Sequence, residues 1–133
     1  MPVPNRILLC VENDEDEYEI MANVAAQIDP ELMLVHKSNG WDAMLYLEKH
    51  KQKSKLPYLI ILDYNMPIMD GRFTLEAIKS NTYLKDIPVV IFSVLVNPAD
   101  ELFCKQHGVK IYTKPPQLSD YRKVITEILS LLP

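Results

Sequence analysis

Apolar and polar positions along this chain follow two alternating patterns: short unbroken apolar runs, and longer stretches in which apolar residues recur every three or four positions. The runs are typical of buried strands, and the spaced pattern is typical of helices that bury one face. The runs predict strands over residues 7–11, 33–36, 58–62, 89–92 and 110–113. The spaced stretches predict helices over residues 14–28, 72–81 and 118–132, with further helices after the turn at residues 38–40 and after Asn97-Pro98.

The regular alternation of strand and helix predicts an α/β fold. Five successive βα units form a parallel sheet with helices on both faces, because each crossover places its helix against the sheet. The pattern alone leaves either strand order of the doubly wound class open. The chain has 133 residues and no repeat or linker. We therefore expect a single domain over residues 1–133, without an output domain.

Composition narrows the functional class. The chain is 48% hydrophobic and 24% charged, as in ordinary globular proteins, and its formal net charge of −4 argues against nucleic-acid binding. No apolar run approaches the ~20 residues that span a bilayer, and residues 1–6 lack the apolar core of a signal peptide. We therefore expect a cytoplasmic protein without membrane contact. Cys10 and Cys104 lie in apolar contexts and are predicted to be small buried residues.

Polar residues stand where the predicted strands end. Glu12 and Asn13 follow the first strand, Asp63 the third, Ser93 the fourth and Lys114 the fifth. Since parallel strands end at the same edge of a sheet, where open α/β sheets bind ligands, we expect these side chains to converge. Carboxylate and amide oxygens suit Mg²⁺, which uses few protein ligands and shares phosphate oxygens with a substrate. Such a group can support phosphoryl transfer, which needs mainly positioning and charge neutralisation.

The residues at these strand ends also match a known family. The matching positions are Glu12, Asp63, Asn65-Met66-Pro67, Asp70-Gly71, Ser93 and Lys114-Pro115. With them, the chain resembles a two-component response-regulator receiver domain of the CheY-like family over residues 7–132. The resemblance implies a flavodoxin-like (βα)5 fold with strand order 2-1-3-4-5. Residues 63–72 and 87–90 are similar to those of stand-alone receivers that serve phytochrome-type histidine kinases.

The resemblance implies a role for each residue at this edge. The family accepts a phosphoryl group from a histidine kinase or phosphorelay protein on the aspartate matching Asp63, with Mg²⁺ required, and shows no other enzymatic activity. Lys114 and Ser93 are implied as partners of the phosphoryl group. The implied metal ligands are Glu12, Asn13, Asp63 and, through its backbone carbonyl, Asn65. The Lys114–Pro115 bond is implied to be cis.

Three positions depart from the family pattern. Asn13 stands where a second acid usually contacts the metal. Taking Asp14 as that acid would shift the first helix, so we interpret Asp14 as the N-cap, with Glu17 completing a capping box. Val94 replaces a small residue, and Ile111 replaces an aromatic switch residue. These departures leave an alternative open, a receiver-shaped interaction scaffold with weak or no phosphorylation.

The resemblance also implies two binding surfaces, since a separate, unidentified protein must read the phosphorylated state. The kinase-docking surface comprises positions on the first helix and after the fifth strand: Asp14, Glu17, Ile20, Met21 and residues 115–117. The output surface lies on the fourth helix, fifth strand and fifth helix, which can also form a homodimer contact. It includes Glu101, Lys105, Ile111, Tyr112 and Tyr121.

Two other functional classes fit less well. A haloacid-dehalogenase-type phosphatase needs a second acid two residues after its nucleophile, where this chain has Asn65. A flavodoxin needs a hydroxyl-rich phosphate loop after the first strand, where this chain has acids. Trp41 opens the second helix and is predicted to pack against the fold, with an exposed contact to a partner as the alternative.

Overall fold

Among residues 6–51, 55–66 and 68–130, which the computed structural model describes, five strands alternate with five helices. The strands are β1 (Ile7–Val11), β2 (Met33–Lys37), β3 (Leu59–Leu62), β4 (Val89–Ser93) and β5 (Lys110–Thr113). The helices are α1 (Glu15–Ile28), α2 (Gly40–Lys49), α3 (Gly71–Lys79), α4 (Pro98–Gln106) and α5 (Tyr121–Ser130). Predictions at residues 1–5, 131–133 and Pro67 lie outside the described residues.

The strands form one parallel sheet in the order β2-β1-β3-β4-β5, which confirms the flavodoxin-like topology. The register aligns the strand ends, because Val11 pairs with Leu62 and Ser93 pairs with Thr113. The strand order reverses between β1 and β3, and sheets of this kind form a crevice at such a reversal. Glu12 and Asp63, which directly follow these two strands, flank that crevice.

The sheet separates two hydrophobic layers. β3 is buried along its length, and its side chains alternate between the layers, so that Leu62 faces one layer and Ile61 the other. The helices α2, α3 and α4 cover the first layer, and α1 and α5 cover the second. The helical residues that reach these layers include Leu47, Leu75, Ile78 and Cys104 in the first, and Met21, Ala25, Ile125 and Ile128 in the second. Both cysteines are free and buried, as predicted.

Side-chain caps fix where the helices begin. Asp14, Asn39, Asp70 and Asn97 each accept a hydrogen bond from a backbone N–H in the first turn of α1, α2, α3 and α4, respectively. The predicted cap at Asp14 is therefore confirmed. A 3₁₀ helix at Leu118–Asp120 precedes α5, so the predicted fifth helix starts with a tighter turn.

Within the described residues, none of the helices has both the length and the apolar composition needed to span a membrane.

Three side chains lie where the sequence did not predict them. Trp41 is 59% exposed, because Gly40, Ala43 and Leu47 occupy the inward face of α2. Met21, expected on the kinase-docking surface, is buried between α1 and the sheet. Tyr121, which the helical spacing places inward but the family resemblance places on the output surface, is buried in the same layer. Neither Met21 nor Tyr121 is therefore available to contact a partner.

Gly71 lets α3 approach the segment that follows β3. A Cβ atom at this position would lie 2.5 Å from Cα of Tyr64, and the N–H of Gly71 donates to the Tyr64 carbonyl at 3.0 Å. Gly108 is a different case, because its φ of 68° is left-handed while the space around it is open. This left-handed residue lies two positions after the end of α4, where a glycine commonly terminates a helix.

We expect Gly71→Ala to lower the free energy of unfolding by about 3 kcal/mol, because the clash is with backbone that cannot rotate away. Gly108→Ala is the matched control and should cost only about 1 kcal/mol, from backbone strain without a clash. Urea denaturation of both variants measures the difference. A Gly71→Ala variant as stable as the wild type would contradict the close approach.

Candidate functional site

Asp63 is buried at the end of β3 with both carboxylate oxygens engaged. Its Oδ1 accepts hydrogen bonds from the Ser93 hydroxyl at 3.0 Å and from the backbone N–H of Asn65 at 3.1 Å. Its Oδ2 accepts from the Lys114 ammonium at 3.2 Å. These contacts fix the orientation of the carboxylate at the sheet edge.

Lys114 directly follows β5, which is separated from β3 by β4 in the sheet. Its side chain extends past the end of β4 to Asp63. Its backbone N–H donates to the Ser93 carbonyl at 2.9 Å, which continues the pairing of β4 with β5. Its ammonium also donates to Glu12 Oε1 at 2.6 Å and to Glu17 Oε2 at 3.2 Å. The structure thus brings together Glu12, Asp63, Ser93 and Lys114, as the sequence predicted.

The expected cis bond between Lys114 and Pro115 is not found, since no peptide bond among the described residues is cis. The trans form is compatible with the site because the lysine side chain already extends from the end of β5 to the carboxylates.

The site holds more negative than positive charge. Three carboxylates, from Glu12, Glu17 and Asp63, surround the single ammonium of Lys114. Burial raises the pKa of Glu12 to about 7; the hydrogen bond from Lys114 offsets only part of this, and the charge of Asp63 adds to it. Burial alone would lower the pKa of Lys114, but the bond to Glu12 and the neighbouring carboxylate charges outweigh it and raise the pKa above its usual range. The lysine therefore stays charged.

Glu17 and Tyr121 join this group, which sequence reasoning did not anticipate. The Tyr121 hydroxyl donates to Glu17 Oε1 at 2.7 Å, while Glu17 Oε2 accepts from Lys114. The predicted capping box therefore does not form: the N–H of Asp14 donates to Glu12 instead, at 3.2 Å. Burial and the bond to Glu17 raise the pKa of Tyr121, so its hydroxyl keeps its proton. The strand order implied by the resemblance could have indicated these contacts, because it makes α1 and α5 neighbours on one face of the sheet.

The two asparagines predicted as metal ligands lie in different surroundings. Asn13 is exposed directly after Glu12. The side-chain amide of Asn65 donates to the Ser93 hydroxyl at 2.9 Å and to the Leu95 carbonyl at 3.1 Å. Asn65 thus ties the segment after β4 to the segment after β3. This role of the Asn65 side chain was not predicted, because the family resemblance assigns only the backbone carbonyl at this position.

The oxygen donors suit a hard cation. Among residues 6–51, 55–66 and 68–130, no group of three or more His, Cys, Asp or Glu side chains is arranged to hold a metal ion. Glu12 and Asp63 supply two buried carboxylates with a surplus of negative charge. That number fits Mg²⁺, which usually takes one or two protein carboxylates and keeps several waters.

Strand β5 carries Ile111 at the position where the family resemblance implies an aromatic switch residue. Ile111 packs on the layer covered by α4, and Tyr112 packs on the opposite layer. Val94 is exposed beyond Ser93.

Arg72 connects α3 to α4. Its guanidinium donates to Asp100 at 3.0 Å and lies 3.8 Å from the centre of the Phe103 ring.

Comparison with known proteins identifies the family. The sequence model of the response regulator receiver domain matches residues 8–126, and the chain belongs to this family. It is 34% identical over 132 residues to the response regulator Rcp1 of Synechocystis sp., covering 96% of this chain and 88% of Rcp1.

Solved structures agree with this assignment. The phosphorylated cyanobacterial phytochrome response regulator RcpA matches with a TM-score of 0.87 and 29% identity, over 96% of this chain and 94% of RcpA. The Mn²⁺-bound form of Rcp1 matches with a TM-score of 0.84 and 30% identity, over 96% of this chain and 99% of the other. The predicted similarity to phytochrome response regulators is confirmed.

We expect Lys114→Met to lower the free energy of unfolding at pH 8 by about 3 kcal/mol, because it leaves buried carboxylates without their counter-charge. Lys105→Met, on the exposed side of α4, is the control and should change stability little. Chemical denaturation in EDTA tests this. Equal stability of the two variants would contradict the ion-pair geometry.

The raised pKa of Glu12 predicts a pH dependence. Between 4.5, its ordinary value, and about 7, the folded protein binds more protons at Glu12 than the unfolded chain does. Stability from this group therefore falls as pH rises through that window and recovers as pH falls. Glu12→Gln should remove this component, and the difference between the two stability curves in EDTA measures it. Parallel curves for wild type and variant would contradict the assignment.

Proposed function

We propose that this receiver accepts a phosphoryl group on Asp63 from a histidine kinase or phosphotransfer protein, and signals by phosphorylation-dependent binding to another protein. The observation that carries the proposal is the placement of the Asp63 carboxylate within hydrogen-bond reach of both Lys114 and Ser93. Family membership supplies the class of reaction. No other enzymatic activity is proposed.

In the transfer step, an oxygen of Asp63 forms a bond to phosphorus while the P–N bond of the donor phosphohistidine breaks. The imidazole nitrogen leaves with the electron pair of that bond and is protonated by solvent. Lys114 and Ser93, which donate to the Asp63 carboxylate, also lie within reach of phosphoryl oxygens bound to it and can donate to them. Attack of water on the acyl phosphate returns the carboxylate and inorganic phosphate.

We propose Mg²⁺ as the cofactor, held by Glu12, Asp63 and the carbonyl of Asn65, with Asn13 as a neutral fourth ligand. When bound, the cation neutralises charge on the transferred group. The surplus negative charge at Glu12 and Asp63 supports a divalent cation there. Because Asn13 contributes no charge, we expect weaker affinity than a site with a further carboxylate would have.

The partners are assigned by surface. The similarity to RcpA and Rcp1 supports a phytochrome-type kinase as the phosphodonor, docking on Asp14, Glu17, Ile20 and residues 115–117. We place the output surface, and any homodimer contact, on α4, β5 and α5. It includes Glu101, Lys105, Ile111 and Tyr112, all at least partly exposed.

Phosphorylation by acetyl phosphate with Mg²⁺, followed by intact-protein mass spectrometry, tests the acceptor. We expect the wild type to gain the mass of one phosphoryl group and Asp63→Asn to gain none, because the amide is a poor nucleophile. Asp70→Asn, in the same loop but at the cap of α3, is the control and should still be labelled. Equal labelling of wild type and Asp63→Asn would place the acceptor elsewhere.

Asn13, Val94 and Ile111 favour a second candidate, a receiver-shaped scaffold that binds its partner without phosphorylation. The same experiment separates the two functions. A wild type that gains no mass with acetyl phosphate, and whose NMR spectrum is unchanged by beryllofluoride with Mg²⁺, would support the scaffold.

A further inference from the structure

We infer that Glu17 is a positioning residue. Its carboxylate accepts a hydrogen bond from Lys114 while Asp63 is unphosphorylated, and this bond breaks when Asp63 carries a phosphoryl group. This inference rests on the proposed function, because it assigns the contact that changes when the acceptor is modified. Tyr121 is the second anchor of Glu17 and passes the change to α5.

All three protons of the Lys114 ammonium are already engaged. An ammonium has three N–H donors, and Lys114 has three carboxylate acceptors, on Glu12, Asp63 and Glu17. A phosphoryl oxygen that takes a hydrogen bond from Lys114 must therefore replace one of these acceptors or share a proton with it.

The Glu17 contact is the least costly of the three to lose, because the Glu17 side chain is the most exposed, at 24% against 2% for Glu12 and 7% for Asp63. The Glu12 side chain is 2% exposed and its bond to Lys114 is the shortest, at 2.6 Å. The Glu17 side chain is 24% exposed and lies 3.2 Å from the ammonium, so water can solvate its oxygen when the contact breaks. Its other oxygen keeps the Tyr121 hydroxyl as a partner.

Charge favours the same exchange. Phosphorylation adds negative charge and three acceptor oxygens close to Lys114. The ammonium gains a stronger partner, and Glu17 meets like charge. Since Glu17 lies on α1 and Tyr121 opens α5, the exchange alters the contact between these two packed helices.

The experiment uses 3-fluorotyrosine-labelled protein and ¹⁹F NMR. The chain has seven tyrosines, and the Tyr121 resonance is assigned by its loss in Tyr121→Phe. Beryllofluoride, which mimics the phosphoryl group, is added over a background of Mg²⁺ alone. We expect the Tyr121 resonance to shift in the wild type, to stay unchanged in Asp63→Asn, and to lose most of its shift in Glu17→Gln.

Beryllofluoride affinity gives an independent readout. Glu17→Gln should bind about 2- to 5-fold more tightly than the wild type, the range expected from removing a partly exposed competing charge. Glu19→Gln removes the same charge from an exposed position on α1 and should leave both affinity and resonance shift unchanged.

The outcomes separate the inference from the proposed function. A wild type that does not bind beryllofluoride would overturn the proposed function. Beryllofluoride binding with an unmoved Tyr121 resonance would overturn only the role of Glu17. A full shift in Glu17→Gln would do the same, since the Tyr121 ring would then respond by another route, such as its edge-to-face contact with Phe92, whose ring centre lies 5.3 Å away.

Discussion

The site depends on one ammonium placed among more negative charge than it can neutralise. Lys114 contacts carboxylates that follow β1 and β3 and one on α1. Buried ion pairs rarely add net stability, because desolvation cancels much of their attraction. The hydrophobic layers on both faces of β3 must therefore hold these charges together. The cation and the phosphoryl group that we propose for this site would both change this local balance of charge.

Backbone geometry fixes the distances on which this balance depends. Parallel pairing aligns the ends of β1, β3, β4 and β5 at one edge. The buried hydroxyl of Ser93 then meets Asp63, and Asn65 crosses to Ser93 and Leu95. The Asp63 carboxylate is thus oriented by contacts from the end of β4 and from the segments that follow β3 and β5.

Much of this could be predicted from the sequence, for identifiable reasons. The apolar run ending at Asp63 predicts a central strand, and the residues after four strand ends predict a shared site, because parallel strands end together. The contacts of Glu17 with Lys114 and Tyr121 could not be predicted in the same way. The spacing of Glu17 from Asp14 fits a capping box, and only tertiary packing brings Glu17 to these two side chains. Trp41 was mispredicted because hydrophobicity alone does not say which face of α2 it occupies.

Arg72 has a consequence for movement in this fold. Its guanidinium pairs with Glu76 on its own helix and with Asp100 on α4, and it lies over the Phe103 ring. Displacing α4 must either break the bond to Asp100 and the ring contact or carry α3 along. With the second outcome, the two helices travel as one rigid unit, and a protein that senses the displacement would be reading a surface two helices wide.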